Sequence, residues 1–425
     1  MSNSPDKLPI QPFDRPVLGS VALPGSKSIT NRALILAALS RRTVTLRGAL
    51  FSRDTRIMVA ALRALGFDVQ TDESALTITV AGRGGEIPAR EARIDVGNAG
   101  TAARFLTALV CLRPDGLYHF DGDEAMRRRP IGTLLEALEA QGARASARSF
   151  PFALRTAGLP GGPVELDATE SSQLLSALLL VAPKARSPLE IQLKSGTVSR
   201  PFVAMTERML AQFAAEPAVY DVEVDASAAS YFLALPIATD AVVQLPGFRA
   251  EGGLQGDARF VDVLAQAGLL LSPLRVRQGI DSARVPGVMR RGVSADFNAF
   301  SDTFLTLAAL APLLAGPTRI TVIAHTRKQE TDRVAGMARE LVKLGQHVVE
   351  TEDSLEIHPR PLATGVEIET YHDHRFAMSF GILGCHNLHG DGRPWLAVKD
   401  PACCAKTFPE FFHRLEGLRR SSAFT

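Results

Sequence analysis

Polar and apolar positions follow a pattern that repeats six times along the chain: a short polar cluster precedes a largely apolar run. The polar clusters are residues 26–28, 98–101, 171–173, 225–227, 301–303 and 372–375. The apolar runs are residues 33–39, 105–112, 174–182, 231–238, 304–315 and 376–385. The pattern predicts six buried helices, each beginning at a polar cluster that is either an ordinary N-cap or an anion site, because a helix N-terminus carries unpaired N–H groups and partial positive charge.

Three of these clusters contain side chains that capping does not require. They are Lys27, Gln173, His374 and Arg375. Cations and amides at the starts of otherwise apolar helices favour the second interpretation, a pocket for small, multiply anionic molecules.

After each apolar run the sequence predicts a strand, a second and amphipathic helix, and a closing strand. The first strands are predicted at 43–47, 117–120, 189–193, 241–245, 318–323 and 395–398. The second helices are predicted at 54–65, 131–141, 202–213, 257–267, 331–344 and 408–418, and the closing strands at 76–80, 152–155, 220–224, 274–277 and 355–358. Six repeated units of this kind indicate an α/β protein, because each unit needs neighbours to bury its apolar face. The alternative is a generic α/β protein whose strands and helices alternate by chance.

The last repeat lacks a closing strand, and we predict that residues 16–23 replace it. The chain then begins in the C-terminal half, crosses to the other half near residue 22 and returns near residue 225. The predicted domains are therefore 22–225, and 1–21 together with 226–425. A chain of 425 residues exceeds one hydrophobic core, which agrees with two domains.

Composition excludes several classes of function. The formal net charge of +2 is too small to indicate a nucleic-acid or membrane-surface partner. Four cysteines, two of them adjacent, do not form a disulfide or zinc pattern and fit reduced thiols. With no apolar run of 18 residues and a polar N-terminus, we expect a soluble, cytoplasmic protein and a monomer.

Several polar residues are candidates for chemistry in the first half of the chain. Lys27 follows Gly25, which allows a ligand close approach to the backbone, but a lysine near a turn is usually only solvated. The loop 97–101 with Arg104 can cradle a phosphate, although it lacks the ending of a Walker loop. Arg127, Arg128 and Arg129 lie among acidic neighbours, which favours an arginine fork for phosphate or carboxylate over a nucleic-acid patch.

The second half offers carboxylates and a histidine-rich cluster. Glu330 and Arg333 open a helix, where the acidic residue either serves the helix dipole or performs catalysis. Asp302 is either a cap or a base. His372 and His374 point in different directions on a helix and no Cys/His cluster matches them elsewhere, so no metal site is predicted and an anion clamp at Arg375 is favoured.

Together these motifs resemble one family over almost the whole chain, from about residue 10 to 418. The segments that carry the resemblance are Pro24-Gly25-Ser26-Lys27-Ser28, Gly97-Asn98-Ala99-Gly100-Thr101, Arg129-Pro130-Ile131, Ser171-Ser172-Gln173, Glu330-Thr331-Asp332-Arg333, Asp373-His374-Arg375 and Ala405-Lys406-Thr407-Phe408-Pro409. They are similar, in order and in kind, to those of 5-enolpyruvylshikimate-3-phosphate (EPSP) synthases. The resemblance implies a two-domain inside-out α/β barrel of six βαβαββ-like units, three per domain, that closes around its substrates. It also implies transfer of the enolpyruvyl group of phosphoenolpyruvate to the 5-hydroxyl of shikimate 3-phosphate, with release of phosphate and without metal or cofactor.

The resemblance also implies roles for individual residues. The implied catalytic residues are Lys27, Asp302, Glu330 and His374. The implied shikimate 3-phosphate site contains Lys27, Ser28, Arg32, Ser171, Ser172, Gln173, Ser199, Asp302 and Gln329. The implied phosphoenolpyruvate site contains Lys27, Asn98, Gly100, Thr101, Arg129, Gln173, Arg333, Arg375 and Lys406. In the implied mechanism Asp302 takes the proton of the 5-hydroxyl, Lys27 or Glu330 protonates the enol methylene, and a tetrahedral adduct expels phosphate.

The chain departs from the family pattern at three positions. Gln329 stands where the family commonly has Lys, Phe105 where it often has Pro, and Phe202 where it usually has Tyr. Gln329 motivates one alternative, an enolpyruvyl transferase with a different acceptor. A transferase acting on UDP-N-acetylglucosamine is disfavoured, because Ser28 rather than Asn follows Lys27 and residues 121–130 contain no Cys. A non-catalytic binding module is disfavoured because every catalytic residue that the resemblance implies is present, and a nucleic-acid protein by the near-neutral charge.

Overall fold

The computed structural model describes residues 6–194, 200–274 and 278–421. The chain divides into two compact units. The inserted unit is Gly25–Glu223, and the terminal unit contains the described residues up to Pro24 together with those from Val224 onward. The chain therefore passes from one unit to the other twice, after Pro24 and after Glu223.

Thirteen α-helices and twenty-one strands occur in the described ranges. The helices are α1 (Lys27–Leu39), α2 (Arg53–Ala64), α3 (Gly100–Val110), α4 (Glu124–Arg127), α5 (Gly132–Ala140), α6 (Ser172–Val181), α7 (Arg200–Phe213), α8 (Ala226–Ala238), α9 (Phe260–Gln266), α10 (Phe304–Leu310), α11 (Arg333–Lys343), α12 (His374–Gly384) and α13 (Phe411–Arg419). The strands are β1 (Lys7–Pro9), β2 (Leu18–Ser20), β3 (Thr43–Arg47), β4 (Val69–Asp72), β5 (Thr77–Ala81), β6 (Glu91–Asp95), β7 (Leu117–Asp121), β8 (Arg144–Ala145), β9 (Phe152–Arg155), β10 (Gly162–Leu166), β11 (Leu189–Leu193), β12 (Val219–Asp221), β13 (Val242–Pro246), β14 (Leu269–Pro273), β15 (Gly279–Arg284), β16 (Ser294–Asp296), β17 (Thr318–Thr321), β18 (His347–Glu350), β19 (Ser354–His358), β20 (Val366–Ile368) and β21 (Leu396–Lys399). Short 3-10 helices lie at Ala182–Lys184, Gly256–Arg259, Asn298–Thr303, Ala311–Leu313, Ala324–Lys328 and Pro401–Lys406.

Each unit contains three sheets among its described residues. The inserted unit has the strand orders β12-β3-β5-β4, β6-β7-β9-β8 and β10-β11. The terminal unit has the orders β14-β15-β13-β2, β16-β17-β19-β18 and β1-β21-β20. Every sheet contains one parallel pair, and the remaining pairs are antiparallel. This recurrence confirms the predicted α/β class with three repeats in each unit.

The apolar helices lie inside each unit and the sheets lie outside them. In the inserted unit α1, α3 and α6 pack against one another, and in the terminal unit α8, α10 and α12 do so. Every residue of α3 and of α10 is buried, as expected for a helix that is apolar on all sides. Strands such as β3 and β6 alternate between buried and more exposed residues, so one face of the sheet covers the helices and the other faces solvent.

The strand that precedes each crossing pairs differently from the prediction. Residues 16–23 were predicted to complete the last repeat, and this was wrong: Leu18–Ser20 pairs in parallel with β13, while Lys7–Pro9 pairs with β21 of the last repeat. Likewise β12, predicted to close the third repeat, pairs in parallel with β3 of the first. β2 precedes the first crossing and pairs with β13, which follows the second. β12 precedes the second crossing and pairs with β3, which follows the first. Each of these two strands therefore belongs to the unit that the chain leaves directly after it.

Other predicted elements differ mainly at their ends. The helix predicted at 304–315 ends as an α-helix at Leu310, because Pro312 removes a backbone donor and a 3-10 turn follows. The helix predicted at 257–267 begins with a 3-10 turn and becomes α-helical at Phe260. The strand predicted at 274–277 falls largely on residues 275–277, which lie outside the described residues, and β14 and β15 flank it.

Candidate active-site residues

The three inner helices of the inserted unit meet at the side chain of Arg32. Arg32, the sixth residue of α1, lies 5.2 Å from the ring centre of Phe105, the sixth residue of α3. The same guanidinium donates through Nη2 to Ser176 Oγ at 3.2 Å, and Ser176 is the fifth residue of α6. These contacts join the three helices near their middles. The unpaired N–H groups and the dipole at the N-terminus of each helix favour anions there.

Arg32 itself lies inside the inserted unit. Its Nε donates to Thr206 Oγ1 at 2.8 Å, its Nη1 to the Ser28 carbonyl at 3.1 Å, and its Nη2 to the Phe202 carbonyl at 3.2 Å. Burial lowers the pKa of Arg32 to about 9. Phe202, one of the departures from the family pattern, stacks its ring 5.9 Å from the guanidinium. The predicted contact of Arg32 with shikimate 3-phosphate stays a prediction.

Lys27 is the first residue of α1. Its Nζ lies 3.6 Å from Asp54 Oδ2, and the Asp54 side chain is only 2% exposed. Ser26, the N-cap residue, makes no side-chain capping bond, so its hydroxyl does not occupy the first amides of α1. The predicted residue Ser28 follows at the second helical position.

Arg129 lies against the N-terminus of α3. Its Nη1 donates to Asn98 Oδ1 at 3.4 Å. A Cβ atom added at Gly100, the first residue of α3, would be 2.6 Å from Arg129 Nη2, so any larger residue would displace the guanidinium from this place. The buried Nε of Arg129 has no hydrogen-bond acceptor among the described residues. Asn98, Gly100, Thr101 and Arg129, all predicted for phosphoenolpyruvate, are thus brought together within the inserted unit.

The start of α6 carries three further predicted residues. The Ser171 side chain caps the helix by accepting from the Gln173 amide at 3.2 Å, and Ser172 is buried. The Gln173 side chain has a buried Oε1 with no donor in the described part of the chain. Buried polar atoms are normally hydrogen-bonded, so Gln173 Oε1 and Arg129 Nε call for partners that the described residues do not supply. Ser199 lies outside the described residues.

The inner helices of the terminal unit begin close to one another. Ser230 Oγ in α8 and Thr306 Oγ1 in α10 are 3.1 Å apart near the starts of their helices. Arg375, the second residue of α12, donates through Nη1 to Tyr231 Oη at 3.3 Å and through Nη2 to Asp302 Oδ2 at 2.6 Å. Arg375 therefore links all three helix starts.

Arg333 and five other charged residues form a cluster in the terminal unit. We call it the Arg333 cluster, and its members are Asp302, Glu330, Arg333, Asp373, Arg375 and Lys406. Arg333 Nε donates to Asp373 Oδ2 at 2.7 Å, Nη1 to Asp302 Oδ1 at 3.0 Å and Nη2 to Glu330 Oε2 at 2.8 Å. One guanidinium thus holds three carboxylates that come from separate segments of the chain.

The remaining cations pair with the same carboxylates. Lys406 Nζ donates to Glu330 Oε1 at 2.8 Å, and Arg375 shares Asp302 with Arg333. Burial disfavours the charged form of Arg333, but the carboxylates of Asp373, Glu330 and Asp302 outweigh it and raise the pKa of Arg333 above its usual value. Burial also disfavours the charged form of Arg375, but the Asp302 carboxylate favours it, and the pKa of Arg375 is raised overall. Both arginines are therefore fixed cations.

Gln329 and His374 adjoin the cluster. Gln329 Oε1 accepts from Arg333 Nη1, so the residue that departs from the family pattern acts as a neutral acceptor for the central guanidinium. His374 is buried, with Nδ1 3.5 Å from Asp373 Oδ1. His325, which the sequence analysis did not select, has Nε2 2.9 Å from Ser301 Oγ, and burial lowers its pKa.

Asp257 is a second residue that the sequence analysis missed. Its buried carboxylate accepts from Ser227 Oγ, and burial followed by the nearby Asp302 charge raises its pKa to about 7. Asp257 was predicted only as a helix start. Nothing local in the sequence distinguishes it from an ordinary first-turn carboxylate, because its surroundings come from segments near 227, 302 and 375.

The described residues contain no group of three or more His, Cys, Asp or Glu side chains arranged to hold a metal ion. Nor does any helix in those ranges combine the length and apolarity needed to cross a membrane.

Comparison with known proteins identifies the family. Residues 13–219 and 215–415 match the family described as EPSP synthase (3-phosphoshikimate 1-carboxyvinyltransferase). The chain belongs to the EPSP synthase family. A 3-phosphoshikimate 1-carboxyvinyltransferase from Opitutus terrae is 55% identical over 444 residues, covering 98% of this chain and 99% of the relative. A protein of the same name from Nostoc punctiforme is 39% identical, covering 96% of this chain and 98% of the relative.

Solved structures agree on the fold. An EPSP synthase from Acinetobacter baumannii superposes with a TM-score of 0.77 at 23% identity, covering 97% of this chain and 98% of that one. The enolpyruvyl transferase NikO from Streptomyces tendae superposes with a TM-score of 0.71 at 17% identity, covering 96% of each chain. At these identities the likeness establishes the fold alone.

The raised pKa of Asp257 generates a prediction about stability. A carboxyl whose folded-state pKa lies above its unfolded value contributes stability at low pH that is lost as pH rises through about 7. Asn at this position has no charge to bury. Relative to the Asp257→Asn variant, the wild type should therefore lose on the order of 2–3 kcal/mol of unfolding free energy between pH 5 and pH 8.

The measurement is urea unfolding followed by the fluorescence of Trp395, which is the sole tryptophan and is buried in the terminal unit. Asp262→Asn is the matched control, because Asp262 is exposed and lies five residues along the chain. A constant difference between wild type and Asp257→Asn across this pH range would contradict a buried, neutral Asp257.

Proposed function

We propose that this chain transfers the enolpyruvyl group of phosphoenolpyruvate to the 5-hydroxyl of shikimate 3-phosphate and releases phosphate. The proposal rests on membership of the EPSP synthase family and on one structural observation, the Arg333 cluster at the starts of α10, α11 and α12. Both substrates carry a phosphate and a carboxylate. Taking such anions out of water requires fixed cations and helix N-termini, because unpaired buried charge is very costly.

The proposed binding residues fall into two groups. For phosphoenolpyruvate they are Lys27, Asn98, Gly100, Thr101, Arg129, Gln173, Arg333, Arg375 and Lys406. For shikimate 3-phosphate they are Lys27, Ser28, Arg32, Ser171, Ser172, Gln173, Ser199, Asp302 and Gln329. The buried Nε of Arg129 and Oε1 of Gln173 support this assignment, since a ligand would supply the partners that the described residues do not.

The proposed reaction is an addition followed by an elimination. Asp302 accepts the proton of the 5-hydroxyl as its oxygen attacks C2 of phosphoenolpyruvate, while Lys27 or Glu330 delivers a proton to C3, which becomes a methyl group. The methyl group of this tetrahedral adduct then loses a proton, the bond from C2 to the phosphate oxygen breaks, and phosphate leaves. His374 completes the proposed catalytic set, and its Nδ1 lies 3.5 Å from Asp373 Oδ1.

The proposal extends to a monomer in the cytoplasm that needs no metal or cofactor. Its four cysteines are thiols, as expected for a reducing compartment.

Incubating the protein with both substrates tests the proposal. Phosphate release should require shikimate 3-phosphate, and the product mass should equal the sum of the substrates less phosphoric acid. Asp302→Asn should abolish turnover, since an amide cannot accept the hydroxyl proton. Phosphate release that is independent of shikimate 3-phosphate would refute the proposed substrate. So would release only with a different alcohol acceptor, the alternative that Gln329 motivates.

The contact between Gly100 and Arg129 generates a second prediction. In Gly100→Ala the added methyl group would meet the Arg129 guanidinium at 2.6–2.7 Å, so the guanidinium must move. The KM for phosphoenolpyruvate should then rise about tenfold, because a charge-assisted contact is misaligned. Steady-state kinetics check this. Gly417→Ala is the control, since no atom lies within 4 Å of its added methyl group, and an unchanged KM in Gly100→Ala would refute a role of Arg129 in binding.

Gln329 generates a third prediction. Arg333 Nη1 donates to Gln329 Oε1, so Gln329→Lys would replace an acceptor by a second cation beside a buried guanidinium. We expect kcat/KM for shikimate 3-phosphate to fall about tenfold or more, because like charges repel strongly where water is excluded. Gln329→Met, which removes the acceptor without adding charge, should lose less. A gain of several-fold in Gln329→Lys would mean that the pocket is short of a cation rather than adapted to Gln329.

A further inference from the structure

A second charged contact joins α11 to the segment before α12. Glu340 lies seven residues after Arg333, so the two side chains occupy the same face of the helix about two turns apart. Arg333 holds Asp373, the N-cap residue of α12. Glu340 reaches the residues immediately before Asp373.

The Glu340 carboxylate is fully buried and has three kinds of donor. It accepts from the Glu369 amide at 3.0 Å, from Tyr371 Oη at 2.6 Å and from Lys343 Nζ at 2.8 Å to each oxygen. Lys343 is 45% exposed at its side chain, so it neutralises the charge from the solvent side. The other two contacts fix the segment that leads into α12.

That segment has an unfavourable backbone. Tyr371 and His372 both have positive φ, 55° and 57°, which is uncommon for residues other than glycine. Two such residues in succession persist only where their surroundings hold them. The turn ends at Asp373, whose amide donates to the Thr370 carbonyl at 2.8 Å.

The Tyr371 ring is also held by packing. It lies edge-on to Phe376 at a centroid distance of 5.4 Å, and the Arg339 guanidinium lies 5.1 Å from its centre. A Cβ atom added at Gly336 of α11 would be 3.4 Å from Tyr371 Cε2 and 2.7 Å from Phe376 Cζ, so helix and turn are in close contact. The hydroxyl then meets Glu340 at a defined place.

We propose that Glu340 is a positioning residue for the reaction: its buried carboxylate holds the left-handed turn at Tyr371 and His372, and the turn in turn sets Asp373 against Arg333. The inference deepens the proposed function and rests on it for its kinetic consequence. Glu340 touches none of the residues proposed to contact substrate, and it acts only through the turn and Asp373.

The first test is the Glu340→Gln variant, which keeps the shape of the side chain. Its NH₂ group replaces one of the two carboxylate oxygens, so either the Tyr371 hydroxyl or the Glu369 amide faces a donor in place of an acceptor. We expect kcat to fall about tenfold. In an Asp373→Asn background the same change should cost less than twofold, because the residue through which Glu340 acts is already altered. Equal losses in both backgrounds would show a merely structural role and overturn the proposal.

The second test does not depend on turnover, so it separates this inference from the proposed function. Hydrogen exchange of the amides of residues 373–375 should be about tenfold faster in Glu340→Gln than in wild type, at an unchanged urea midpoint reported by Trp395. Lys343→Gln is the matched control, since it removes the donor on the solvent side and leaves the turn contacts, and it should exchange as wild type does. Wild-type exchange in Glu340→Gln would overturn the inference even if the enzyme assay succeeds.

Tyr371→Phe provides an independent variant if Glu340→Gln does not fold. It removes the hydroxyl that donates to Glu340 and accepts from Arg339 Nε, and it retains the ring packing. The same residues should exchange faster in this variant, though less than in Glu340→Gln because the Glu369 contact remains. No change in exchange would count against the proposal.

Discussion

The charged residues of the terminal unit depend on one constraint: the Arg333 guanidinium is buried and must be neutralised by the protein itself. Removing an ion from water costs several kcal/mol, and pairing repays that cost only if the geometry is good. Asp302, Glu330 and Asp373 each accept from a different nitrogen of Arg333. These carboxylates come from distant segments of the chain. Their ion pairs with the Arg333 guanidinium therefore fix the relative positions of the N-termini of α10, α11 and α12.

This constraint explains why polar clusters precede the apolar runs. Helices that are buried on all sides place charged side chains at least cost near their ends, since a charged group within the bundle would lose its hydrogen bonds to water. Asp373 caps α12 and also pairs with Arg333, so one carboxylate serves both the helix and the cluster. In the inserted unit Arg32 is an exception, a cation inside the bundle that is tolerated because Thr206, Ser176 and two carbonyls accept from it.

Local pattern was sufficient to predict the inner helices and their polar starts, because the apolar runs are long and the caps are specific. It was not sufficient for short, mostly exposed strands such as β4, whose burial alternates too little to be recognised. The pairing of β2 with β13 was also missed, since register between segments more than 200 residues apart is not encoded locally. The same reason hid Asp257, which is unusual only because of the residues that fold around it.

The balance of charge in the Arg333 cluster bears on how an anion can be accommodated. Arg333, Arg375 and Lys406 are paired with Asp302, Glu330 and Asp373, three cations with three carboxylates. If Asp302 accepts a proton as the base, the cluster gains one net positive charge, and the nitrogens of Arg333 and Arg375 that Asp302 occupied become available. The base step would thus create the positive potential where negative charge develops on the transferring group, in surroundings that need little reorganisation. Gln329 fits this scheme because it is a neutral acceptor for Arg333. A lysine in its place would carry a positive charge before the reaction as well as during it. Such a charge would stabilise the bound substrates as much as the transition state, and so would not speed the reaction.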